Sequence, residues 1–147
     1  ALEDNNCEHI IVMIQKEVAL KFAANQGDKE FSSLSIITKQ LSHDARILFD
    51  VPPESFEPSP KVMSSILYIK KDVSKSIENG FKKFLKACFS QPRKKLSKNI
   101  SSVVNKALIE KIFEELEIKP NARPHEVSAS LYSQMYKKVE INGRNKE

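Results

Sequence analysis

A short basic segment is the first part of this sequence whose residue types could do chemistry. It groups cations and an amide within seven positions: Arg93, Lys94, Lys95, Lys98 and Asn99. Pro92 precedes it, and proline is well tolerated at a helix start, so we predict a new helix from Arg93. Cations there oppose the helix dipole, whereas a bound phosphate would compensate them. The segment therefore indicates a polyanionic partner, with a solvated helical face as the alternative.

The second candidate is an aromatic residue within a proline-rich segment. Residues 51–62 contain four of the seven prolines, and Phe56 lies between Pro53 and Pro58. Proline fixes φ and lacks a backbone donor, so we expect a stiff, extended loop rather than a helix or a central strand. An aromatic ring held there either packs as a plug or stacks on an unpaired base. The residues alone leave both roles open.

Composition limits the other kinds of site. The net charge of +5 and the pI near 9.2 agree with a polyanionic partner. Cys7 and Cys88 are far apart and the three histidines are scattered, so we expect no metal site, no disulfide and a reducing cytoplasm. The three glycines are isolated, which excludes a glycine-rich phosphate loop within the sequence. No apolar run approaches the ~20 residues of a membrane helix.

The first half of the chain reads as the end of an α/β sheet. Ile10 to Ile14 is continuously apolar, which predicts a strand buried on both faces, as in a parallel sheet. Two helices and two further strands are predicted after it, at Gln15–Ala24, Ser33–Ser42, Ala45–Val51 and Val62–Ile69. In the first of these strands, Ile47 and Phe49 should share one face. Because such a sheet needs more strands, and because the chain opens on Ala1, we expect a piece of a longer protein.

The second half has helical periodicity and predicts a small all-α bundle. Apolar stripes indicate a helix ending near Cys88, a second from Arg93, a third capped by Asn105 and a fourth capped by Ser128. The polar tail from Asn142 is expected to be disordered. We therefore predict two domains, an α/β part at residues 1–71 and a basic helical part at residues 72–147.

The sequence resembles one family, the KsgA-type small-subunit rRNA adenine dimethyltransferases. These enzymes transfer methyl groups from S-adenosylmethionine to N6 of two adjacent adenines. The resemblance rests on five stretches in this order: IQKEVA at 14–19, LSI at 34–36, FDVPP at 49–53, FEPSPKV at 56–62 and FSQPRKKLSKN at 89–99. It implies that residues 1–71 are the terminal part of a Rossmann-like methyltransferase sheet, followed by a helical domain that contacts rRNA.

The resemblance also implies roles for residues. Phe56 would pack on the flipped target adenine, since N6 is inaccessible inside a base stack. A substrate loop would include Pro58, Pro60 and Lys61, and RNA would be contacted by Arg93, Lys94, Lys95, Lys98 and Asn99. The expected partners are small-subunit rRNA and the immature small ribosomal subunit.

The family's cofactor loop, its ribose-binding acid and its motif for the target amino group all lie upstream of the matched stretches. The chain alone is therefore expected neither to bind S-adenosylmethionine nor to methylate. Two alternatives remain open. One is a non-enzymatic RNA-binding module or a degenerate homologue, and the other is a large-subunit rRNA methyltransferase of the antibiotic-resistance type.

Overall fold

The structure, a computed structural model, describes residue 2 and residues 6–145, with only the backbone of 143–145. These residues form two compact units. The sheet unit contains the chain up to Asn25 together with Leu34–Ile77, and the helical unit contains Gln26–Ser33 together with the chain from Glu78 onward. This division differs in two places from the boundary expected after residue 71. Residues 72–77 belong to the sheet unit, and residues 26–33 belong to the helical unit.

The sheet unit has three strands and two helices. In chain order these are β1 (His9–Gln15), α1 (Lys16–Ala23), α2 (Ser33–Leu41), β2 (Ser42–Val51) and β3 (Ser64–Lys71). The strand order is β1-β3-β2 and both pairings are antiparallel, so β1 and β2 run parallel to each other. Ile10, Leu67 and Ile69 form the core of this unit because alternate residues of β1 and β3 point to the same face.

The expectation that residues 10–14 are buried on both faces is wrong. Only Ile10 is buried, whereas the side chains of Ile11 and Met13 are 64% and 50% exposed. These two residues lie opposite Tyr68 and Ile66 of β3, on the second face of the sheet. A continuous apolar run indicates that both faces avoid water, but it does not tell which segments cover them, and β1 is an edge strand here.

The expected alternation along β2 breaks at a bulge. Ile47 pairs with Leu67 on the core side, but the register shifts before Phe49, which pairs with Ile66 instead. Phe49 therefore lies on the second face and is 58% exposed. A β-bulge inserts one extra residue and so turns the following side chains over. Val51 ends the strand immediately before the prolines.

The helical unit is built from four helices. They are α3 (Asn79–Cys88), α4 (Leu96–Ile100), α5 (Lys106–Glu115) and α6 (Ala129–Asn145). The two predicted caps are confirmed. The side-chain oxygen of Asn105 accepts from the Leu108 amide at 2.9 Å, and Ser128 Oγ accepts from the Leu131 amide at 3.2 Å. The disorder expected from Asn142 is not seen up to residue 145, which ends α6, and residues 146–147 lie outside the described part.

Residues 26–33 pack within the helical unit although they connect α1 to α2. Phe31 is 3% exposed, and its ring lies edge-on to Phe89 at 6.3 Å between centroids. Phe89 in turn packs on Tyr132 at 5.3 Å. The Gly27 amide donates to the His125 carbonyl at 2.8 Å. The segment is therefore part of the aromatic core of the helical unit.

Gly80 allows α3 and α6 to approach each other closely. A methyl group at this position would overlap the hydroxyl of Tyr136. We expect Gly80→Ala to destabilise the chain by about 1 kcal/mol, because overpacking costs ~1–3 kcal/mol while the helix propensity of alanine returns about 1 kcal/mol. Urea unfolding would measure this. In a Tyr136→Phe background the cost should shrink, and an undiminished cost there would rule out the overlap as its cause.

Candidate nucleic-acid interface

The segment that joins β2 to β3, residues 52–63, is called the proline loop below. The sequence predicted an extended loop, but the loop is not extended throughout, because Pro53–Ser55 form a single 3-10 turn. The amides of Ser55 and Phe56 donate to the carbonyls of Pro52 and Pro53 at 3.1 and 3.2 Å. Proline at the first position of a helical turn loses no hydrogen bond, which explains the turn.

The side chain of Phe56 is half-buried in this loop. Ser59 Oγ donates to the Phe56 carbonyl at 3.1 Å and so closes the loop behind the aromatic residue. Around it, Pro58 and Lys61 are exposed and Pro60 is half-buried. Phe56 therefore keeps part of its surface exposed while the remainder is covered by the protein.

An ionic cluster fixes the base of the proline loop. Lys16 Nζ lies 2.8 Å from Asp50 Oδ2, and Ser65 Oγ donates to Asp50 Oδ1 at 2.7 Å. The Lys16 amide also donates to the Met63 carbonyl at 2.9 Å. The cluster joins the start of α1, the end of β2 and the start of β3. Sequence reasoning missed it, because the pairing depends on which strand ends meet.

We expect the ion pair between Lys16 and Asp50 to persist below the pH at which an ordinary aspartate is protonated. Hydrogen bonds from Lys16 and then Ser65 lower the pKa of Asp50 below its ordinary value of 3.8. The ionised carboxylate thus favours the folded state above pH 3.8 and loses that effect as pH falls through the lowered pKa. An NMR titration of the Lys16 and Ser65 amides should show this acidic step. It should vanish in Asp50→Asn and survive in Glu54→Gln, and a midpoint above the ordinary value would contradict the anchor.

The sequence predicted a helix that begins at Arg93, but the basic segment does not begin a helix there. Residues 90–94 form turns, and α4 starts only at Leu96, after Lys95. The Lys94 amide donates to the Gln91 carbonyl at 3.0 Å, so a turn rather than a helix carries the first three cations. Pro92 ends the preceding helical pattern without starting the next. The helix-dipole reasoning therefore holds only for Lys95, the N-cap of α4, and Lys98, in its first turn, and not for Arg93 and Lys94.

These cations line a concavity of about 760 Å³, called the basic bowl below. Its wall combines two stretches of the helical unit: Arg93, Lys94, Lys95 and Lys98 with Asn121, Arg123, His125 and Glu126. The Leu96 amide donates to the Ala122 carbonyl at 2.8 Å, which holds the two stretches together. The four predicted cations and Arg123 are exposed, and His125 is half-buried. A concentration of cations of this kind suits phosphate groups.

Arg123 and His125 are the bowl residues that sequence reasoning missed. They lie in the connection before α6, where Glu126 Oε1 accepts from the Arg123 amide at 2.8 Å and closes a 3-10 turn. The sequence separation from Arg93 is large, and nothing local indicates the contact. The available signal was the loop PNARPHE itself, because an arginine and a histidine beside prolines are held in fixed positions.

Asn99 lies beneath the basic bowl and is only 5% exposed. Its Oδ1 accepts from the Gln91 amide at 2.7 Å and from Ser90 Oγ at 3.0 Å. Its Nδ2 donates to the carbonyls of Gln91 and Lys95, both at 3.0 Å. The amide is fully engaged by the turn, so the geometry favours a positioning role over the direct RNA contact that the resemblance implied.

Changing Asn99 to Ala should destabilise the chain by about 1–3 kcal/mol, because buried polar groups of the turn lose their partners. Urea unfolding is the measurement. The exposed bowl residue Asn121 provides the matched control, and Asn121→Ala should stay within about 0.5 kcal/mol of the unaltered chain. Equal stability of the two variants would contradict the positioning role.

Other kinds of site find no support in the described residues. Within them, no group of three or more His, Cys, Asp or Glu side chains could hold a metal ion. In the same part of the chain, no helix is both long and apolar enough to cross a bilayer.

Comparison with known proteins places this loop and bowl in context. The family model for ribosomal RNA adenine dimethylase matches residues 2–140. The chain belongs to the ribosomal RNA adenine dimethylase family. It is 66% identical over 146 residues to ribosomal RNA small subunit methyltransferase A of Aliarcobacter butzleri, and 48% identical over 137 residues to the protein of that name from Sulfurimonas denitrificans. These matches cover 99% and 93% of this chain but 55% and 51% of the relatives, so the chain spans about half their length.

Solved structures support the fold of this adenine dimethylase family member. The dimethyladenosine transferase of Plasmodium falciparum superposes with a TM-score of 0.76 at 24% identity, over 92% of this chain and 58% of that one. The 23S rRNA methyltransferase ErmE superposes with a TM-score of 0.64 at 18% identity, over 95% of this chain and 57% of that one. A small sheet with helices is thus shared with both methyltransferases.

Proposed function

We propose that this chain is the C-terminal part of a small-subunit rRNA adenine-N6,N6-dimethyltransferase that acts in maturation of the small ribosomal subunit. The observation that carries the proposal is the 66% identity to a small subunit methyltransferase A across 99% of the chain. That match spans the proline loop, the ionic cluster that fixes its base, and the basic segment. A large-subunit enzyme is supported less, because the likeness to ErmE is one of fold alone at 18% identity.

The finer fold assignment belongs to the same proposal. The three strands would be the terminal strands of a Rossmann-like sheet, with the helical unit as its rRNA-contacting domain. Two features support this. The edge strand β1 exposes Ile11 and Met13, and the second face also exposes Phe49. Apolar residues on one continuous face indicate a surface that other segments cover in a complete protein.

The proposed roles divide between the units. On the sheet unit, Phe56 would stack on the flipped adenine, while Pro58, Pro60 and Lys61 shape the loop around it. On the helical unit, the exposed cations of the basic bowl would bind rRNA phosphates, which position the RNA without reading its bases. Asn99 would stabilise the turn that carries the first cations of the basic segment. Adenine recognition and phosphate binding are thus assigned to different residues, and each can be tested alone.

The residues of this chain do not fit the cofactor. S-adenosylmethionine sites of the Rossmann type need a glycine-rich turn near a strand end, and the glycines here, at 27, 80 and 143, are isolated. Gly27 has φ +94 but lies between α1 and α2 in a segment of the helical unit. We therefore propose that the cofactor is held by residues outside these 147, and we assign no methyl-transfer step to residues present here.

A chimera tests the proposed function. The part of the Aliarcobacter butzleri relative that this chain does not cover, which we propose is its N-terminal half, would be joined to Ala1. We expect the chimera to form dimethyladenine on immature small subunits at a rate similar to that of the intact relative, as measured by mass spectrometry of digested rRNA. The N-terminal half alone is the control and should be inactive.

The alternatives give different outcomes in the same experiment. A chimera that folds and binds S-adenosylmethionine but leaves small-subunit rRNA unmodified would identify a non-enzymatic RNA-binding module or a degenerate homologue. Methylation of naked large-subunit rRNA instead would identify the antibiotic-resistance type. Either result would overturn the proposal.

A further inference from the structure

The helical unit has a second concavity, between α4 and α5, whose character differs from that of the basic bowl. It encloses about 640 Å³ and is lined mainly by apolar surface. Its floor is formed by Ile109, Phe113 and Ile118, all largely buried, and Pro120 closes one end. The small residues Ser97, on α4, and Ser101, directly after α4, also line it. We call this concavity the apolar groove.

Acidic residues follow the groove along α5. Glu110, Glu114 and Glu117 line it at a spacing of four and three residues, next to the floor residues Ile109 and Phe113. Glu110 and Glu114 share one face of α5, and Glu117 follows the end of the helix, so all three carboxylates border the groove. All three are exposed. Two lysines line the same groove, Lys98 on α4 and Lys106 at the start of α5, one helical turn before Glu110.

These three carboxylates have no direct partner among the described residues. In the part of the chain that the structure describes, the side chains of Glu110, Glu114 and Glu117 form no ion pair or hydrogen bond. Their neighbour Glu115 differs, since Lys138 Nζ lies 2.7 Å from its carboxylate and helps to lower its pKa. Among the described residues, the groove lining thus combines three carboxylates with two lysines, and these carboxylates have no direct ion pair.

Glu117 is held at the groove in an unfavourable backbone conformation. Its φ of +57 is left-handed, at the end of α5 where glycine is normally preferred. The Ile118 amide donates to the Phe113 carbonyl at 2.9 Å and fixes the chain in this turn. The turn directs the chain so that Ile118 joins the floor while Glu117 stays at the edge.

The charged residues that line the apolar groove indicate which class of ligand it binds. Three carboxylates outnumber two lysines in the lining, so the groove favours a cationic partner over a polyanion. The buried lining residues, Ile109, Phe113 and Ile118, are apolar, whereas the charged lining residues are exposed. A compact polar ligand would need polar groups converging on the floor. An extended or helical peptide instead matches an apolar groove with charged edges.

We propose that the apolar groove binds a basic polypeptide segment, which inserts an apolar side chain over Ile109 and Phe113 and places lysine or arginine residues beside the α5 glutamates. The helical unit then has two binding surfaces of opposite preference, the basic bowl for phosphate and the apolar groove for protein. This inference does not depend on the enzymatic proposal, because it uses only the groove and its charges.

The test uses the 147-residue chain and a fluorescent synthetic peptide of lysine and leucine in helical spacing. Fluorescence anisotropy at physiological ionic strength should show saturable binding. We expect Glu110→Lys with Glu114→Lys to weaken the peptide about tenfold, because two attractive pairs become repulsive. Ser101→Trp, which fills the groove from the end of α4, should weaken it similarly.

Matched variants separate a groove from general charge attraction. Glu8→Lys with Glu17→Lys, on the exposed surface of the sheet unit, makes the same change in net charge and should leave peptide binding unchanged. Neutral Glu110→Gln with Glu114→Gln should give an intermediate loss and preserves folding if reversal does not. Circular dichroism confirms that each variant is folded.

Three outcomes would overturn the proposal. They are absence of saturable peptide binding, equal weakening by the two charge-reversed pairs, and unchanged binding by Ser101→Trp. If a short single-stranded RNA bound the chain and lost that binding in Ser101→Trp, the groove would be a nucleic-acid site instead, and the protein partner would be excluded.

Discussion

Phe56→Ala in the chimera with the Aliarcobacter butzleri half is expected to reduce dimethylation of small-subunit rRNA about 5-fold to 160-fold. Stacking of a base on an aromatic ring contributes ~1–3 kcal/mol, and each 1.36 kcal/mol corresponds to a tenfold change in rate. The measurement is the yield of dimethyladenine in single-turnover reactions. Affinity for S-adenosylmethionine should remain that of the parent chimera, because the ring is assigned to the base and not to the cofactor.

Two further substitutions distinguish stacking from simple packing at Phe56. Tyrosine keeps a π-face and leucine keeps only apolar volume, so stacking predicts activity in Phe56→Tyr and loss in Phe56→Leu. If Phe56 is a packing plug, Phe56→Leu should retain methylation and Phe56→Ala should mainly lower stability against urea. Full activity of Phe56→Ala would remove the residue from the proposed site altogether.

Replacement of Arg93, Lys94 and Lys95 by alanine is expected to give the second largest effect, on RNA affinity. Each phosphate contact that is lost lowers the slope of log affinity against log salt by roughly 0.7–0.9, so three contacts account for about 2–3 in slope. Filter binding of a short rRNA helix over a range of salt concentrations would measure it. A matched variant changes three exposed lysines elsewhere on the helical unit to alanine: Lys83, Lys111 and Lys137. That control should leave the slope nearly unchanged.

Arg123 provides a second test of the basic bowl. It is distant in sequence from the basic turn but lines the same concavity. Arg123→Ala should therefore lower the slope by roughly 0.7–0.9, as expected for one phosphate contact. If the triple variant and its matched control had equal slopes, the cations of the basic segment would be solvated surface residues that do not bind phosphate.

Local chemistry explains what could be predicted from the sequence. The caps at Asn105 and Ser128 were identified because an N-cap needs only a side-chain acceptor just before an apolar helical pattern. The basic cluster and the proline loop were visible for the same reason, since their members are close in sequence. The Lys16, Asp50 and Ser65 cluster, Arg123 and His125 were missed because tertiary structure brings these residues together.

The wrong predictions have a common physical origin. Apolar patterning of residues 10–14 and Phe49 indicates a need for burial, but a bulge and an edge position decide which face is covered. The helix expected at Arg93 failed because Pro92 permits a helix start without requiring one. The buried amide of Asn99 makes four hydrogen bonds of 3.0 Å or less to this segment and so stabilises a turn instead of a helix. Helix propensities of single residues do not include such side-chain hydrogen bonds.

The position of residues 26–33 limits how this protein can be divided and recombined. The chain passes between the two units at 25–26, at 33–34 and at 77–78. The helical unit is therefore not a cassette that a single cut after residue 71 or 77 releases, since Phe31 would be left on the other piece and its place beside Phe89 would be empty. A transplant that keeps the basic bowl intact must carry Gln26–Ser33 with it, and a recombination point between Phe31 and α2 separates a buried aromatic side chain from its core.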